Sequence, residues 1–434
     1  MNTISWCHCS DAHLGYKQYN LSERLKDFGE AFNKCILLII EKNPDFVIFT
    51  GDLFEHYNPK PPELRQAIAI LNKLKNKNIP IYVIAGNHDV SYSISKRYGG
   101  DILHFLQDLN LIIYLEDDIN IVKKNNKPIA LIAGIHYYGK KTPEKLTEFY
   151  EKYKDKFERN DIPKILMLHA FVEGSVINYD ISSYKLNMYP FDYIACGHYH
   201  IKWPKDFSIK DNKIFYPGGT EHRSSFEWSH PRGFITVNAK LTEKKWDLKP
   251  EFITYDVRPK KVISKDFGFT TAEQIIKQTR NMIEQNDKDG MLLKLNLIGT
   301  IKKGEIPFIN FHNLKSFAKN TLYIDITNFL TSSSLTGPNP PKTEREAYIE
   351  IFKNNFNVKK EFLDLYVSFI ENIVKIGDDK NFEELTSHIL NEFVIKNPEA
   401  IIYKEKIDNK QKSTKKNQET GKKGKSSKKL ESYI

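Results

Sequence analysis

The stretch ISWCHCSDAH, residues 4–13, places a short strand-like segment directly before an aspartate and a histidine. The same arrangement recurs along the first 240 residues, where predicted strands run directly into polar motifs. These strands lie at 46–50, 81–85, 165–168 and 193–196, and they lead into GD, GNHD, H and GHYH. A further strand is predicted at 129–134, and helical patterns occur at 23–42 and 62–77. Alternation of strands and helices predicts an α/β layered domain.

The polar residues after these strands form a candidate metal site. In an open α/β sheet, ligands bind outside the carboxyl ends of the strands. The residues expected at that edge are Asp11, His13, Asp52, Asn87, His88, His169, His198 and His200. Each motif alone is more typical of a turn, a cap or a structural histidine, but the set favours function.

Carboxylate, amide and imidazole donors without thiolate suit borderline metals such as manganese, iron or zinc. Asp52 is the candidate to bridge two ions, because a carboxylate has two oxygens. Two such ions about 3.5–4 Å apart can activate water and stabilise an in-line displacement at phosphorus. The residues alone therefore predict metal-dependent phosphoester hydrolysis.

Composition restricts the class of protein. The 434 residues are 40% hydrophobic and 28% charged, which is typical of globular proteins. No aliphatic run approaches the roughly 20 residues of a membrane helix, and we expect neither a secretory leader nor a membrane partner. The 4 cysteines indicate a reduced, intracellular protein. Cys7 and Cys9 alternate along the first strand, so we expect buried thiols rather than zinc ligands.

Much of the net charge of +10 belongs to one segment. Residues 404–429 contribute +8 and Glu431 contributes −1, so residues 1–403 carry +3. We expect 404–434 to be a disordered basic tail that adds salt-dependent affinity for polyanions, or simply a solvated end.

The chain changes character after about residue 250. A strand at 262–264, a helix around 275–283 with a Thr270/Glu273 capping box, and alternating leucines and isoleucines predict a small α+β unit at 250–330. The segment TSSSLTGPNPPK, residues 331–342, is typical of a linker. The spacing of apolar residues in 343–403 predicts helices with one apolar face. These faces either pack on the body of the protein or bind a partner helix.

Together, the strand-end motifs resemble those of the calcineurin-like metallophosphoesterase superfamily. The motifs HCSDAHLG (8–15), GDLF (51–54) and YPGGTE (216–221) are similar to those of SbcD-type nuclease subunits of DNA double-strand-break repair complexes. The match covers residues 1 to about 235. The resemblance implies a four-layer α/β-sandwich phosphoesterase domain at 1–240, a DNA-capping domain at 250–330 and partner-binding helices at 343–403.

The resemblance also implies roles for individual residues. One metal ion would be held by Asp11, His13, Asp52 and His200, and a second by Asp52, Asn87, His169 and His198. His88 matches the catalytic histidine of the family, which is not a ligand. Asp89 either orients His88 or caps the following turn, and we favour the first.

The implied activities are 3′–5′ double-strand exonuclease and single-strand endonuclease action with two manganese ions. The implied partners are DNA, an SbcC-type coiled-coil ATPase and a second copy of the chain, in the cytoplasm or on the nucleoid. Helices at 64–74 and 102–109 are candidates for the dimer face.

Two alternatives stay open: a phosphodiesterase for small molecules or cyclic nucleotides, and a non-catalytic scaffold on the same fold. About 200 residues beyond the catalytic core count against the first alternative, and the retention of every ligand counts against the second.

Two positions depart from the pattern of the family. Glu55 replaces the usual His or Asp after GDLF, and Gly219 replaces the serine of Pro-Gly-Ser. Neither change removes a ligand, but both bear on the balance of exonuclease and endonuclease activity. At the chain end, Leu430, Tyr433 and Ile434 resemble a sliding-clamp-binding box in which Ser427 replaces the leading Gln.

Overall fold

The computed structural model describes residues 3–89, 100–207, 209, 212–242, 245–301, 305–332 and 367. Among them the strands are β1 (Ile4–Cys9), β2 (Phe46–Phe49), β3 (Ile81–Val83), β4 (Ile113–Tyr114), β5 (Asp118–Lys124), β6 (Lys127–Ile135), β7 (Lys164–His169), β8 (Tyr193–Gly197), β9 (Ile214–Phe215), β10 (Arg232–Leu241), β11 (Trp246–Tyr255), β12 (Lys260–Thr270), β13 (Leu292–Ile301) and β14 (Tyr323–Ser332). The helices are α1 (Ser22–Lys42), α2 (Pro61–Lys75), α3 (Ile102–Asp108), α4 (Thr142–Phe157), α5 (Ser183–Asn187), α6 (Ala272–Asn286) and α7 (Phe311–Lys315).

Two mixed sheets form the body of the first 255 residues. One has the strand order β11-β10-β1-β2-β3-β4, and the other has the order β5-β6-β7-β8-β9. Strands β1 to β4 are parallel, and so are β6 to β9, so the carboxyl ends of each group lie at one edge of its sheet.

Each sheet buries both faces. Between the sheets, Trp6 of β1 packs against Phe46 of β2 and Tyr193 of β8, with ring centroids 5.8 and 5.5 Å apart. The outer face of the six-stranded sheet packs on α1, α2 and α3, and that of the five-stranded sheet packs on α4 and α5. This helix–sheet–sheet–helix order confirms the predicted four-layer α/β sandwich.

Most predicted elements are confirmed within a few residues. Helix α2 begins at Pro61, where the missing N–H of proline costs nothing, and its buried side chains follow one apolar stripe. Cys7 and Cys9 are buried in the core beneath α1. The hairpin β10–β11 had no clear sequence signal, because β11 is an edge strand of half-buried and exposed residues in alternation.

The candidate dimer helices leave apolar side chains exposed at only a few positions. Phe105 of α3 is 43% exposed and Leu109, just after it, is 39% exposed. On α2, by contrast, Ala67, Ile70 and Leu71 are buried in the core of the chain itself. These apolar residues of α2 therefore pack inside the chain itself and are not available for a dimer face.

Strands β12, β13 and β14 form a third sheet in that order. The predicted helix around 275–283 is α6, but the predicted capping box is wrong. Thr270 is the last residue of β12, and it is the hydroxyl of Thr271 that accepts the N–H of Gln274, at 3.4 Å. The strand runs farther toward the helix than the sequence indicated, and it takes Thr270 out of the cap position.

The described chain divides into two compact units. The first comprises residues 3–266, 276–298 and 310–329 with their gaps, and the second comprises 267–275, 299–309 and the residues from 330 onward that are described. Within the first unit, ion pairs connect the start of β12 and the residues before it to α1 and to the loop that carries Glu221. Arg258 contacts Asp27 at 2.5 and 2.7 Å, and Lys260 contacts Glu221 at 2.7 Å.

Several predictions concern residues outside the described part of the chain. These are most of the linker at 331–342, the helical segment at 343–403 apart from Val367, and the basic tail at 404–434 with its box at Leu430, Tyr433 and Ile434. In the described residues, every helix is too short or too polar to cross a lipid bilayer.

Candidate metal centre

All eight predicted site residues lie at the carboxyl ends of strands from the two packed sheets. Asp11 and His13 follow β1, Asp52 follows β2, and Asn87 and His88 follow β3. From the other sheet, His169 ends β7, while His198 and His200 follow β8. The site therefore straddles the interface between the sheets.

The donor atoms of these residues converge. Nε2 of His13 lies 3.1 Å from Nε2 of His200. Oδ2 of Asp52 lies 3.2 Å from Nε2 of His169 and 3.7 Å from Nε2 of His13. Oδ1 of Asn87 lies 3.2 Å from the same His169 nitrogen.

The donors fall into overlapping groups. Asp11, His13 and His200 offer donor atoms within 4.8 Å of one another, and so do Asp52, His169 and His198. A third set, His13, Asp52 and His88, connects the two. Asp52 thus lies between the groups, in the position that a bridging carboxylate needs.

Glycines make this convergence possible. A Cβ on Gly86 would lie 2.0 Å from Oδ1 of Asp52, and one on Gly197 would lie 2.0 Å from the carbonyl oxygen of Thr50. Side chains at these positions would push the strand ends apart. This close approach is the physical reason for glycine in the GNHD and GHYH motifs.

Several donors occupy backbone conformations that are unusual for residues with side chains. The φ angles are 53° at Asp11, 45° at His13, 56° at Asp52 and 88° at His198. Positive φ costs free energy in such residues, and it is found where surrounding structure enforces it, often at functional sites. The backbone thus turns sharply after β1, β2 and β8 to aim these side chains into the cluster.

A second set of residues holds the histidine rings. Nδ1 of His169 lies 2.7 Å from the carbonyl oxygen of Thr50, and Nδ1 of His200 lies 3.4 Å from Oε1 of Glu227. Nδ1 of His13 lies 3.0 Å from Oε2 of Glu55. All three partners are acceptors, so an Nδ1 proton on these rings would point at them and leave Nε2 turned toward the cluster.

In the sequence, Glu55 stands out only as a departure from the family pattern, and the other ring partners carry no motif. Glu227 lies 27 residues beyond His200, so spacing alone gave no signal for it. The buried Arg232 contributes as well, since it donates to the carbonyl oxygen of His200 at 2.7 Å.

The electrostatics of the cluster favour positive charge. Burial by itself lowers the pKa of His169, but the Asp52 carboxylate raises that pKa to about 9. Burial acts the same way on His200, yet Glu227 and Asp11 raise its pKa as well. The pKa of Asp52 is held well below its ordinary value despite burial, because His169 and His13 lie beside it.

These features fit a metal centre. Nε2 of His13 and Nε2 of His200 lie 3.1 Å apart, close enough for both nitrogens to bind one ion in place of a shared proton. The donors are carboxylate, amide and imidazole groups, the set that suits manganese, iron or zinc. Cys7, Cys9, Cys35 and Cys196 are buried elsewhere in the core.

His88 faces the cluster from a fixed position. Its Nδ1 donates to the carbonyl oxygen of Glu55 at 2.8 Å, and its backbone N–H donates to Oδ1 of Asp52 at 2.9 Å. The side chain is 22% exposed, so its Nε2 is available to a substrate.

The preferred role of Asp89, to orient His88, is wrong. Its carboxylate accepts the backbone N–H groups of Asp52, Phe54 and Gly86, at 2.7, 3.0 and 3.0 Å. Asp89 therefore fixes the loops after β2 and β3 rather than the imidazole.

Comparisons with known proteins agree with this geometry. The sequence profile of the calcineurin-like phosphoesterase family matches residues 6–202. The "DNA double-strand break repair protein Mre11" of Methanocaldococcus jannaschii is 32% identical over 271 residues, which are 59% of this chain and 70% of that protein.

Two further relatives carry the same name. The protein of Methanococcus maripaludis is 37% identical over 228 residues, which are 52% of this chain and 59% of that protein. The protein of Archaeoglobus fulgidus is 26% identical over 317 residues, or 67% of each chain. The match thus spans between about three fifths and seven tenths of these relatives.

Proposed function

Because the chain belongs to the SbcD/Mre11 family of calcineurin-like phosphoesterases, we propose that it is a dimetal DNA nuclease of double-strand break repair. It is a metal-dependent phosphodiesterase by family. The observation that carries the proposal is the convergence of imidazole and carboxylate donors from two sheets, with Nδ1 of His13, His169 and His200 each lying against an acceptor.

We propose the ligand sets that the family resemblance implies. Asp11, His13, Asp52 and His200 would hold one ion, and Asp52, Asn87, His169 and His198 would hold the other. The contacts among the Nε2 atoms and Asp52 support this division, and we propose manganese as the metal. Bound ions would supply an activated water and neutralise charge on the phosphate oxygens.

The residues of the chain then have separate tasks. Glu55, Glu227 and the Thr50 carbonyl would accept the Nδ1 protons of three imidazoles and so keep Nε2 turned toward the ions. We propose His88 as the catalytic residue, since its Nδ1–H is engaged by the Glu55 carbonyl and its Nε2 faces the cluster. With the ring doubly protonated, Nε2–H can donate a hydrogen bond to a phosphate oxygen or give its proton to the leaving oxygen.

The substrate and partner assignments go beyond the geometry. We propose 3′–5′ exonuclease action on duplex ends and endonuclease action on single strands, with an SbcC-type coiled-coil ATPase and a second copy of the chain. The names of the relatives support action at DNA breaks. We also propose an intracellular location, DNA capping by residues 250–330 and partner binding by 343–403.

One further partner is proposed from the sequence of the tail. Leu430, Tyr433 and Ile434 would dock into a sliding clamp. Deletion of the last five residues is expected to abolish retention of the chain by an immobilised clamp, and unchanged retention would rule out the box.

The test of the nuclease assignment is degradation of end-labelled linear duplex DNA with manganese, using the full chain and His88→Ala. Shortening from the 3′ ends that is lost in the variant is expected. If DNA stays intact while a small phosphodiester is hydrolysed, the metal site stands and the DNA-repair assignment is wrong.

A further inference from the structure

Arg223 lies at the edge of the metal centre, on the outer side of His13. Its Nη2 donates to Oε1 of Glu55 at 2.6 Å, and the other oxygen of Glu55 lies 3.0 Å from Nδ1 of His13. The Arg223 side chain is 29% exposed, whereas that of Glu55 is 7% exposed. The guanidinium thus reaches solvent beside the cluster while its carboxylate partner is buried.

The loop fixes Arg223 before any substrate binds. Gln18 donates to the Arg223 carbonyl oxygen at 2.7 Å, and the Arg223 N–H donates to Oε2 of Glu227 at 3.1 Å. The guanidinium carbon lies 4.9 Å from the ring centroid of Tyr16, a distance typical of a cation–π contact. An arginine held in this way loses little side-chain entropy when it binds an anion.

The guanidinium has donor capacity to spare. It carries N–H groups on three nitrogens, and within the described residues its side-chain hydrogen bond is the one from Nη2 to Glu55. Nε is buried and has no hydrogen-bond partner there. Because Nε is buried, the donors left for a phosphate are the N–H groups of Nη1 and the second N–H of Nη2, and such a guanidinium edge suits phosphate oxygens.

The charges around the site require such a group. Asp11, Asp52, Glu55 and Glu227 surround the cluster, and a polyanionic strand must approach them. Bound cations would offset this charge at the phosphate that is cleaved, whereas a neighbouring phosphate of the strand would need a cation from the protein itself. Arg223 offsets the negative charge of Glu55 and places guanidinium N–H donors at the rim.

We propose that Arg223 is a binding residue for a phosphate next to the one that is cleaved, held in place by Glu55. This inference rests on the proposed function, because it assumes a polynucleotide substrate. It also gives a role to Glu55, which anchors both Arg223 and the ring of His13.

The test is metal-free binding of a labelled single-stranded oligonucleotide to the full chain in chelator, over a series of salt concentrations. Variants are Arg223→Gln, which keeps an N–H donor for Glu55, and Arg223→Lys, which keeps the charge. The matched control is Arg159→Gln. Arg159 is 30% exposed and pairs with Asp161 at 2.6 Å, but it lies before β7, at the sheet edge opposite His169.

Arg223→Gln is expected to weaken binding about tenfold or more at low salt. The slope of log affinity against log salt should become shallower by about 0.7, the value for one lost phosphate contact on a single strand. Arg223→Lys should keep the slope of the wild type, and Arg159→Gln should keep both slope and affinity. If Arg223→Gln binds like Arg159→Gln, the arginine is only a partner of Glu55 and the inference is wrong.

The outcomes separate this inference from the nuclease assignment. Cleavage of DNA by the wild type together with an unchanged slope for Arg223→Gln would retain the nuclease and remove the phosphate contact. A reduced slope in a protein that binds but does not cleave DNA would retain the contact and remove the nuclease.

Discussion

Replacement of Glu221 by glutamine is expected to destabilise the fold by about 3–5 kcal/mol at pH 7, the cost of removing one partner from a buried charge cluster. Glu221 is 1% exposed, and its carboxylate forms ion pairs with two buried cations. Nζ of Lys260 lies 2.7 Å from it and Nη2 of Arg24 lies 3.5 Å from it. Glutamine keeps the shape but leaves both cations without this negative charge.

The size of the effect should depend on pH. At 2.7 Å and an effective dielectric constant of about 20, the attraction between Lys260 and Glu221 is about 6 kcal/mol before desolvation. Burial lowers the pKa of Lys260 from 10.5 to about 8, although Glu221 opposes that shift. Loss of Glu221 lowers the pKa of Lys260 further, so the variant can release the Lys260 proton. In the wild type that release costs about 1.4 kcal/mol at pH 7 and almost nothing at pH 9, and this difference is the part of the penalty that depends on pH.

Proton linkage gives the direction of this pH dependence. Because the folded-state pKa of Lys260 is lowered, the unfolded chain binds more protons between pH 8 and 10.5, and the contribution of this group to stability rises with pH there. At pH 9 the wild-type lysine is already mostly neutral, so loss of Glu221 matters less. The penalty should be about 1.4 kcal/mol smaller at pH 9, and the remainder belongs to Arg24, which stays charged.

The assay is urea unfolding followed by tryptophan fluorescence at pH 7 and pH 9. Glu30→Gln is the control, because Glu30 is 61% exposed and forms a surface pair with Lys26, which contributes at most about 1 kcal/mol. The double variant Glu221→Gln/Lys260→Met should recover part of the loss, since it removes one unpaired cation. If Glu221→Gln costs no more than Glu30→Gln at pH 7, the buried cluster does not stabilise the fold as argued.

Three further predictions concern the site and the core. Gly86→Ala should weaken divalent-metal binding about tenfold or more in calorimetry, because the added Cβ would lie 2.0 Å from Oδ1 of Asp52. The circular dichroism spectrum should not change. An unchanged metal affinity would contradict the importance of this close approach. Glu227→Gln should weaken metal binding about 10–100-fold, because it frees the ring of His200. The control is Glu144→Gln at an exposed position of α4. If the two variants bind metal with equal affinity, Glu227 does not position His200. Burial raises the pKa of the Cys7 thiol to about 12. The contribution of this thiol to the free energy of unfolding is therefore present below pH 9 and falls by about 2 kcal/mol by pH 10.5. Cys7→Ala should flatten that decline in urea titrations, and an equal decline in the variant would contradict the prediction.

The sequence was sufficient to predict that the candidate donors meet, because each of them lies at the end of a strand of a parallel group. Polar residues at such positions meet at one edge whatever their separation along the chain, as Asp52 and His169 show. The supporting residues follow no such rule. Glu227 and Arg232 come from loop and strand positions whose contacts depend on how the chain returns after β9, which local pattern does not encode.

The role of Asp89 shows a second limit. Proximity in sequence suggested that it orients His88, but the three backbone N–H groups it binds become neighbours only when β2 and β3 pair. The hairpin β10–β11 was missed for a related reason. Strand β10 completes the sheet by pairing antiparallel with β1, a contact between residues more than 200 positions apart.

The candidate metal donors come from both sheets, and this arrangement affects how long the folded chain resists proteolysis. An ion shared by donors from both sheets acts as a reversible cross-link, and its strength depends on the free ion concentration. At a concentration 100 times the dissociation constant, one bound ion adds about 2.7 kcal/mol to the folded state. Divalent ion supply would thus set the rate at which proteases degrade this chain, in addition to the rate at which it turns over substrate.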